Sequence, residues 1–378
     1  MPRFYAADEV HAALDFARLA DALARAFARG ANVPLRHVHR LSGGDTLLLM
    51  PAWRDAPRAD AVASTQSVDV PSSRVSGKER ALDAGRATTQ GTEVVSDNVG
   101  DKGFAFAAGA SSTPEGEGAL GIKLVTVMPG AVARGAATVA ATYVLLDRAT
   151  GAPRAVLDGD ALTVRRTAAA SALAARLLAR DDADTLLIVG TGHLAPYLAR
   201  AHYALRPALE RVLVWGRSFD RARATAAALR AVGVPAEGTE ALESAARAAH
   251  IISCATTSTT PLVMGEWLAP GTHLDLVGGF TRAMREVDDA AVARARIVVD
   301  TYEGALAEAG DLVVPLERGA IDRTQIVAEL AELVRGERTG RTNASDITLF
   351  KSVGTALEDL AAAELVVSTT LSPAAPYR

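Results

Sequence analysis

Residues 185–205 read TLLIVGTGHLAPYLARAHYAL. A short apolar run stops at Gly190, a second glycine follows at Gly192, and apolar positions then recur at helical spacing. A strand, a glycine turn and a helix in immediate succession form a dinucleotide-binding turn. The first glycine permits the tight bend, and the second lets a pyrophosphate approach the backbone at the helix N-terminus. Ala195 supplies the third small position. His193 and Leu194 lie within the turn and are expected beside the cofactor, although a packing role for His193 reads equally well as local structure. The next strand, RVLVWG (211–216), chooses between nicotinamides. A NAD site places an acid at its end to accept from the ribose 2′-hydroxyl. Here Arg217 and Ser218 stand there, with Arg221 and Arg223 beyond and Asp220 placed to cap a helix. Arginine pairs with a 2′-phosphate and an acid repels it, so NADP(H) is preferred and NAD(H) remains possible.

Outward from this turn the pattern is α/β. RRTAAASALAARLLA (165–179) and DRARATAAALRAVG (220–233) read as helices. HIISCAT (250–256), HLDLVGG (273–279), ARIVVD (295–300) and DLVVPL (311–316) read as strands, and residues 349–367 as one long helix. Apolar strands alternating with helices imply a mostly parallel sheet covered on both faces. Thr256 and Gly278 stand at the carboxyl ends of two such strands and are expected to touch the cofactor. Before the parallel region, residues 6–28 suggest one or two helices, 46–53 and 121–130 strands, and 141–162 a hairpin. Between Trp53 and Gly121 the chain turns rich in Ser, Thr, Gly and Asp without sustained period, which suggests a flexible surface insertion at about 56–118. The expected division is 164–324 for the Rossmann NADP-binding domain, with 1–163 and 325–378 forming a second, α+β domain.

Composition narrows the function. The chain has 378 residues, Lys+Arg 40 against Asp+Glu 44 and a formal charge of -4, which gives no basic field for nucleic acid. Its one cysteine, Cys254, sits in an apolar run as a buried thiol, so neither an internal disulfide nor a cysteine-based metal site is expected. No stretch has the roughly 18 uncharged apolar residues of a membrane span, nor does the start resemble a signal peptide, and a cytoplasmic protein is expected.

Several motifs together resemble the ornithine cyclodeaminase/mu-crystallin family. They are LLLMPAW (47–53), GIKLVTVMPG (121–130), RRTAAASALAA (165–175), IVGTG (188–192), VGGFTRAMREVDD (277–289), EAGDLVVPL (308–316) and ITLFKSVGTALEDLAAA (347–363). The resemblance implies a Rossmann domain inserted into a substrate-binding and dimerisation domain, hence a homodimer. It also implies a small α-amino or α-imino acid substrate whose carboxylate is clamped by Arg36, Lys123 and Arg166. Three cations around one small carboxylate make physical sense in a partly dry pocket. Lys351 and Ser352 match the segment that approaches the nicotinamide, and Glu303 the position where imine-reducing relatives carry a Glu near the substrate. As an ordinary residue, Glu303 would be an acid favoured in a helix's first turn. Asp311 matches a family mark without an assigned role, and Ala131 stands where the family often has Asn.

The resemblance also bears on the reaction. The cyclodeaminase branch carries an Asp just after the paired glycines and a Glu before the LMP motif. This chain has Phe280 and Leu48, neither of which exchanges protons. The expectation is an NADPH-preferring oxidoreductase that reduces the C=N bond of Δ1-pyrroline-2-carboxylate or Δ1-piperideine-2-carboxylate to proline or pipecolate. Phe280 would line the substrate pocket. Lys123 would hold the carboxylate or supply the proton, with Glu303 as the second catalytic candidate. Ornithine cyclodeamination, an alanine dehydrogenase-like reaction and non-catalytic ligand binding as in mu-crystallin are the alternatives.

Overall fold

The computed structural model describes residues 1–56 and 118–371, and the expected insertion lies outside the described residues. Strands β1 (Arg3–Tyr5), β2 (His37–Arg40), β3 (Thr46–Arg54), β4 (Ala119–Val127), β5 (Val139–Asp147) and β6 (Pro153–Asp158) form a six-stranded sheet in the order β1-β6-β5-β4-β3-β2. All its pairings are antiparallel except β1 with β6. Strands β7 (Thr185–Val189), β8 (Arg211–Trp215), β9 (Ala236–Thr239), β10 (Ile251–Cys254), β11 (His273–Leu276), β12 (Ala295–Val299), β13 (Ile326–Glu329) and β14 (Ile347–Lys351) form an eight-stranded sheet in the order β13-β12-β14-β11-β10-β7-β8-β9. Every pairing in it is parallel.

Helices α1 (Ala7–Ala13), α2 (Phe16–Arg29) and α3 (Gly159–Leu178) come from the first part of the chain. Helices α4 (Ala195–Leu205), α5 (Phe219–Arg230), α6 (Leu242–Ala248), α7 (Asp289–Ala293), α8 (Tyr302–Glu308), α9 (Gly310–Glu317) and α10 (Leu330–Val334) follow, and α11 (Ala356–Leu371) is the last described element. No helix among the described residues is long and apolar enough to cross a membrane.

Helix α3 connects the two sheets and is buried along almost its whole length. It packs against α2, α4 and α11, and the alanines Ala168, Ala169, Ala170, Ala172, Ala174 and Ala175 are fully buried. Small side chains let neighbouring helix backbones come close without voids, and alanine loses no side-chain entropy in doing so. Helix α2 is amphipathic in the ordinary way. Asp15 caps it by accepting from the N–H groups of Ala17 and Arg18, and Leu19, Leu23 and Phe27 lie on its buried face.

Several expectations need correction. Residues 311–316 are not a strand but most of α9. A short apolar run has no period of its own, and here the buried Asp311 carboxylate, turned inward to accept from the N–H groups of Glu286 and Val287, fixes the helical turn. The long helix expected over 349–367 is the end of β14 followed by α11. Gly354, at φ +83°, turns the chain between them. The eight-stranded sheet does not end near residue 324, since β13 and β14 both belong to it and β14 lies between β12 and β11. Parallel strands are joined by crossovers rather than tight turns, so the returning chain inserts β14 between β12 and β11 after an excursion that sequence order conceals. The short strands β1, β2 and β9 have too few residues to show a period.

Gly159, at the start of α3, lies against the backbone of β5. A Cβ there would stand 2.6 Å from the Ala141 carbonyl carbon and 2.7 Å from the Thr142 nitrogen. Gly159→Ala is expected to destabilise the protein by about 1–3 kcal/mol through overpacking, read as a lower urea midpoint at unchanged m-value.

Candidate active site

The eight-stranded sheet reverses its winding between β7 and β10, because β8 and β9 continue on one side and β11, β14, β12 and β13 on the other. Ligands bind at the carboxyl ends of strands at such a switch. Gly190 adopts φ +127°, and a Cβ there would lie 2.7 Å from the Ala255 carbonyl oxygen. Gly192 meets no protein atom within 4 Å of its would-be Cβ, so its backbone faces open space. Ala195, fully buried, begins α4. A tight glycine, an open glycine and a buried small residue at the helix start fit a bound pyrophosphate. At the end of β8, Arg217 is exposed, and the Ser218 hydroxyl accepts from the Arg221 N–H at 3.4 Å to cap α5. Asp220 is exposed one residue into that helix.

In front of the glycine turn lies a cavity of about 340 Å³. Gly192, His193 and Leu194 form one wall, Thr256, Gly278 and Phe280 another, and Arg166 with Ser352–Gly354 the third. No aspartate or glutamate lines it among the described residues. Phe280 is 43% exposed at its edge.

The walls beside the glycines are held from behind by Glu286, which is fully buried. Its Oε1 accepts from the Thr256 N–H at 2.7 Å and the Thr256 hydroxyl at 2.9 Å. Its Oε2 accepts from the N–H groups of Gly278 at 2.8 Å and Gly279 at 3.2 Å. A single carboxylate thus satisfies two loops that would otherwise present unpaired donors in a dry interior. Gly278 has to be glycine, because a Cβ would lie 2.0 Å from the Thr256 carbonyl oxygen. Lys351 was expected at the cofactor; the structure places it beneath this turn instead, fully buried and 3.3 Å from Asp311 Oδ2. Asp311 in turn accepts from the Glu286 N–H at 2.7 Å, which gives this family mark a structural task. Ser352 does reach the cavity, and it donates to Asp300 Oδ2 at 3.1 Å. Asp300 also accepts from the N–H groups of Val353 and Gly354 at 2.8 and 2.6 Å, fixing the loop after β14.

The three cations expected as one clamp are divided. Lys123 and Arg166 lie together, 2% and 5% exposed. Lys123 Nζ is 2.9 and 2.7 Å from the two oxygens of Asp359 and 3.4 Å from the Thr163 hydroxyl. Arg166 places Nη1 2.5 Å from Glu358 Oε2 and Nε 3.0 Å from Asp359 Oδ1. Arg36 instead lines a neighbouring cavity with Asp300, Glu303 and Glu308, and Gly354 borders both cavities. Its Nη2 donates to the carbonyls of Val353 at 3.1 Å and Gly354 at 3.3 Å, and its Nε lies 3.2 Å from Glu308 Oε1. Glu303 is exposed in the first turn of α8 and does not border the glycine-turn cavity.

Burial pushes the Lys123 ammonium down to about 8 against the opposing pull of Asp359. Burial likewise pushes the Glu358 carboxyl up to about 7, with Arg166 opposing and Asp300 adding to the rise. Burial works against the Asp359 anion too, but Arg166 and Lys123 together hold it below the usual carboxylate range. Sequence reading missed Glu358, Asp359 and Glu286. The signal for the first two was present: two adjacent acids in the otherwise apolar TALEDLAAA, matched by two cations in equally apolar surroundings at Lys123 and Arg166.

Residues 85–373 match the ornithine cyclodeaminase/mu-crystallin family. The chain belongs to that family. It is 43% identical over 257 residues to the Arabidopsis thaliana protein SAR DEFICIENT 4, a match spanning 67% of this chain and 79% of that one. It is 40% identical over 262 residues to a Delta(1)-pyrroline-2-carboxylate reductase of Bacillus cereus, covering 69% of this chain and 80% of the relative. Among solved structures it resembles the Thermococcus litoralis Delta(1)-pyrroline-2-carboxylate reductase in complex with NADH and L-proline. That likeness has a TM-score of 0.76 at 29% identity and covers 98% of this chain and 97% of that one.

Glu286→Gln puts an amide N–H₂ against groups that already donate, loosening the Thr256 and Gly278 walls. The Michaelis constant for the nicotinamide cofactor is expected to rise about tenfold, the loss of about 1–3 kcal/mol for an unsatisfied buried donor, with a smaller change in kcat. Steady-state kinetics with varied cofactor provide the check.

Proposed function

We propose that this chain reduces the C=N bond of a cyclic α-imino acid, Δ1-pyrroline-2-carboxylate or Δ1-piperideine-2-carboxylate, to L-proline or L-pipecolate with NADPH. The observation that carries the reading is the wall of the glycine-turn cavity: one guanidinium, Arg166, an aromatic, Phe280, and no carboxylate among the described residues. A deaminating site has to accept a substrate ammonium and move protons on and off nitrogen, which calls for an acid within reach. An imine reductase has only to orient a carboxylate and a ring. Phe280 offers the ring an apolar surface, and Arg166 offers its carboxylate a fork of N–H donors. The names of the Bacillus and Thermococcus relatives support imine reduction, and the Thermococcus enzyme is seen with NADH.

NADPH when bound supplies the hydride. The protein's part begins at Gly190, which makes the tight turn, at Gly192, which leaves backbone room for the pyrophosphate, and at Arg217, which is exposed at the end of β8 to meet a 2′-phosphate. Thr256, Gly278 and Ser352 shape the surface against which the nicotinamide lies. Lys123 does not border the cavity and serves the carboxylate site indirectly, by holding Asp359 beside Arg166. A proton held on the imine nitrogen makes the carbon electrophilic, so orientation carries most of the barrier reduction. Apolar side chains exposed at Leu35, Val38, Leu41, Val132 and Val139 support a homodimer built on the six-stranded sheet.

Ornithine cyclodeamination is the second reading, and one observation favours it. The neighbouring cavity, which Gly354 joins to the first, carries Asp300, Glu303 and Glu308. A panel of cyclic imines, pyruvate with ammonia, and ornithine, each with both nicotinamides, separates these reactions. Turnover of the imines with NADPH is expected; ammonia release from ornithine with NAD and no imine reduction would reject the proposal. Arg217→Ala is expected to raise the NADPH Michaelis constant about tenfold or more and the NADH one less than about twofold, as follows from losing one charge-assisted contact of about 1.5–3 kcal/mol. Equal effects on the two cofactors would reject the phosphate role.

A further inference from the structure

Glu358 stands in the first turn of α11, fully buried, behind the guanidinium that faces the cavity. Arg166 Nη1 is the one hydrogen-bond partner of its carboxylate among the described residues, and its Oε1 has none. Asp359 lies between two cations, with Lys123 2.9 and 2.7 Å from its two oxygens and Arg166 Nε at 3.0 Å, although its Oδ2, like Glu358 Oε1, meets no donor in hydrogen-bond geometry. The charged groups that face Glu358 are Arg166 on α3, Asp300 beyond β12 and Asp359 on its own helix. Lys123 on β4 lies beyond Asp359, and the buried Tyr143 of β5 faces Asp359 in turn.

The two cations pair directly with two carboxylates, while Asp300, the third acid near Glu358, is held by the Ser352 hydroxyl and the N–H groups of Val353 and Gly354. A substrate carboxylate docking on Arg166, as the proposed function requires, would place three anions on two cations in a site largely closed to water. An excess charge there costs several kcal/mol unless it is neutralised, and of the two carboxylates the one with a single cation beside it is the easier to neutralise. That carboxylate is Glu358. We propose that Glu358 is the proton-exchanging partner of the clamp: it takes up one proton when a substrate carboxylate docks on Arg166 and gives it back when the product amino acid leaves. It acts through Arg166 and touches no reacting atom, so it is a positioning residue. Charge stays balanced, because the proton enters with the anion and departs with it.

The direction of the pH effect follows. Glu358 rests at about 7, raised by burial, and a second anion on Arg166 raises it further. Below about 7 Glu358 is already protonated and binding is indifferent to pH. Above it, affinity for the carboxylate falls by up to about tenfold per pH unit until the raised value in the complex is passed.

The test is calorimetric titration of pyrrole-2-carboxylate, a non-reducible planar analogue, into the full chain with NADP bound, in buffers of different ionisation enthalpy. At about pH 7.5 the wild type should take up well over half a proton per site. Near pH 6 uptake should vanish. Glu358→Gln should still bind the analogue and take up less than about a quarter of a proton, the share left to Lys123. Wild-type binding without uptake at about pH 7.5 overturns the inference and leaves the proposed function standing. Unchanged uptake in Glu358→Gln overturns it as well. Failure of the analogue to bind at any pH removes the docked carboxylate on which both the inference and the proposed function rest. Absence of uptake in the wild type overturns the inference even where the variant does not fold.

Discussion

Four charges buried together, on Lys123, Arg166, Glu358 and Asp359, bind three parts of the chain that are far apart in sequence. Lys123 comes from the middle of β4, Arg166 from the centre of α3 and the two acids from the first turn of α11. Taking an ion out of water costs several kcal/mol, and the loss is recovered only while every partner is in place. The six-stranded sheet, the connecting helix and the last helix therefore form as one unit or leave an uncompensated charge inside. The same requirement explains why the surrounding residues are so uniformly small and apolar. Ala168, Ala169, Ala170 and Ala362 keep water away and let α3 and α11 approach closely enough for the pairs to meet.

A second buried network, smaller in charge, does corresponding work on the other sheet. Glu286 gathers donors from the loops after β10 and β11, Asp311 orients the backbone of Glu286, and Lys351 closes the cluster from β14. Three loops that could each move freely are tied to one carboxylate and its neighbours. The cavity wall opposite the glycine turn is thereby built in place before any ligand arrives, and Asp300 does the same for the loop after β14. Both networks hide their charges and leave the cavity itself nearly neutral, with Arg166 as the cation it presents.

Some of this was legible in the chain because the signal is local. Gly190 and Gly192 between an apolar run and a helical pattern announce a dinucleotide turn, since only glycine tolerates φ +127° and a backbone left open to a ligand. The seven motifs placed the chain in its family, and Arg217 in place of an acid was readable at the end of β8 without any contact being known. Other readings failed where the evidence was not local. DLVVPL looks like a strand because five apolar residues in a row have no distinguishing period, and the helix it forms depends on Asp311 reaching a loop some 25 residues away. Lys351 looked like a cofactor contact by position, but strand alternation turns its side chain under the sheet end and leaves Ser352 to face the cavity.

The sequence by itself determined the α/β class, the strand–glycine–helix turn and the absence of a proton-exchanging side chain after the paired glycines. Each of these follows from residues adjacent in the chain, whose backbone limits and chemistry act over a few ångströms. Only the tertiary structure decided which charges are paired. It divided Arg36 from Lys123 and Arg166, moved Glu303 to a second cavity and brought Glu358 and Asp359 to the clamp. The reason is physical: the energy of a buried ion depends on the partner beside it and on the exclusion of water, and a partner 192 residues away leaves no trace in the local sequence of either.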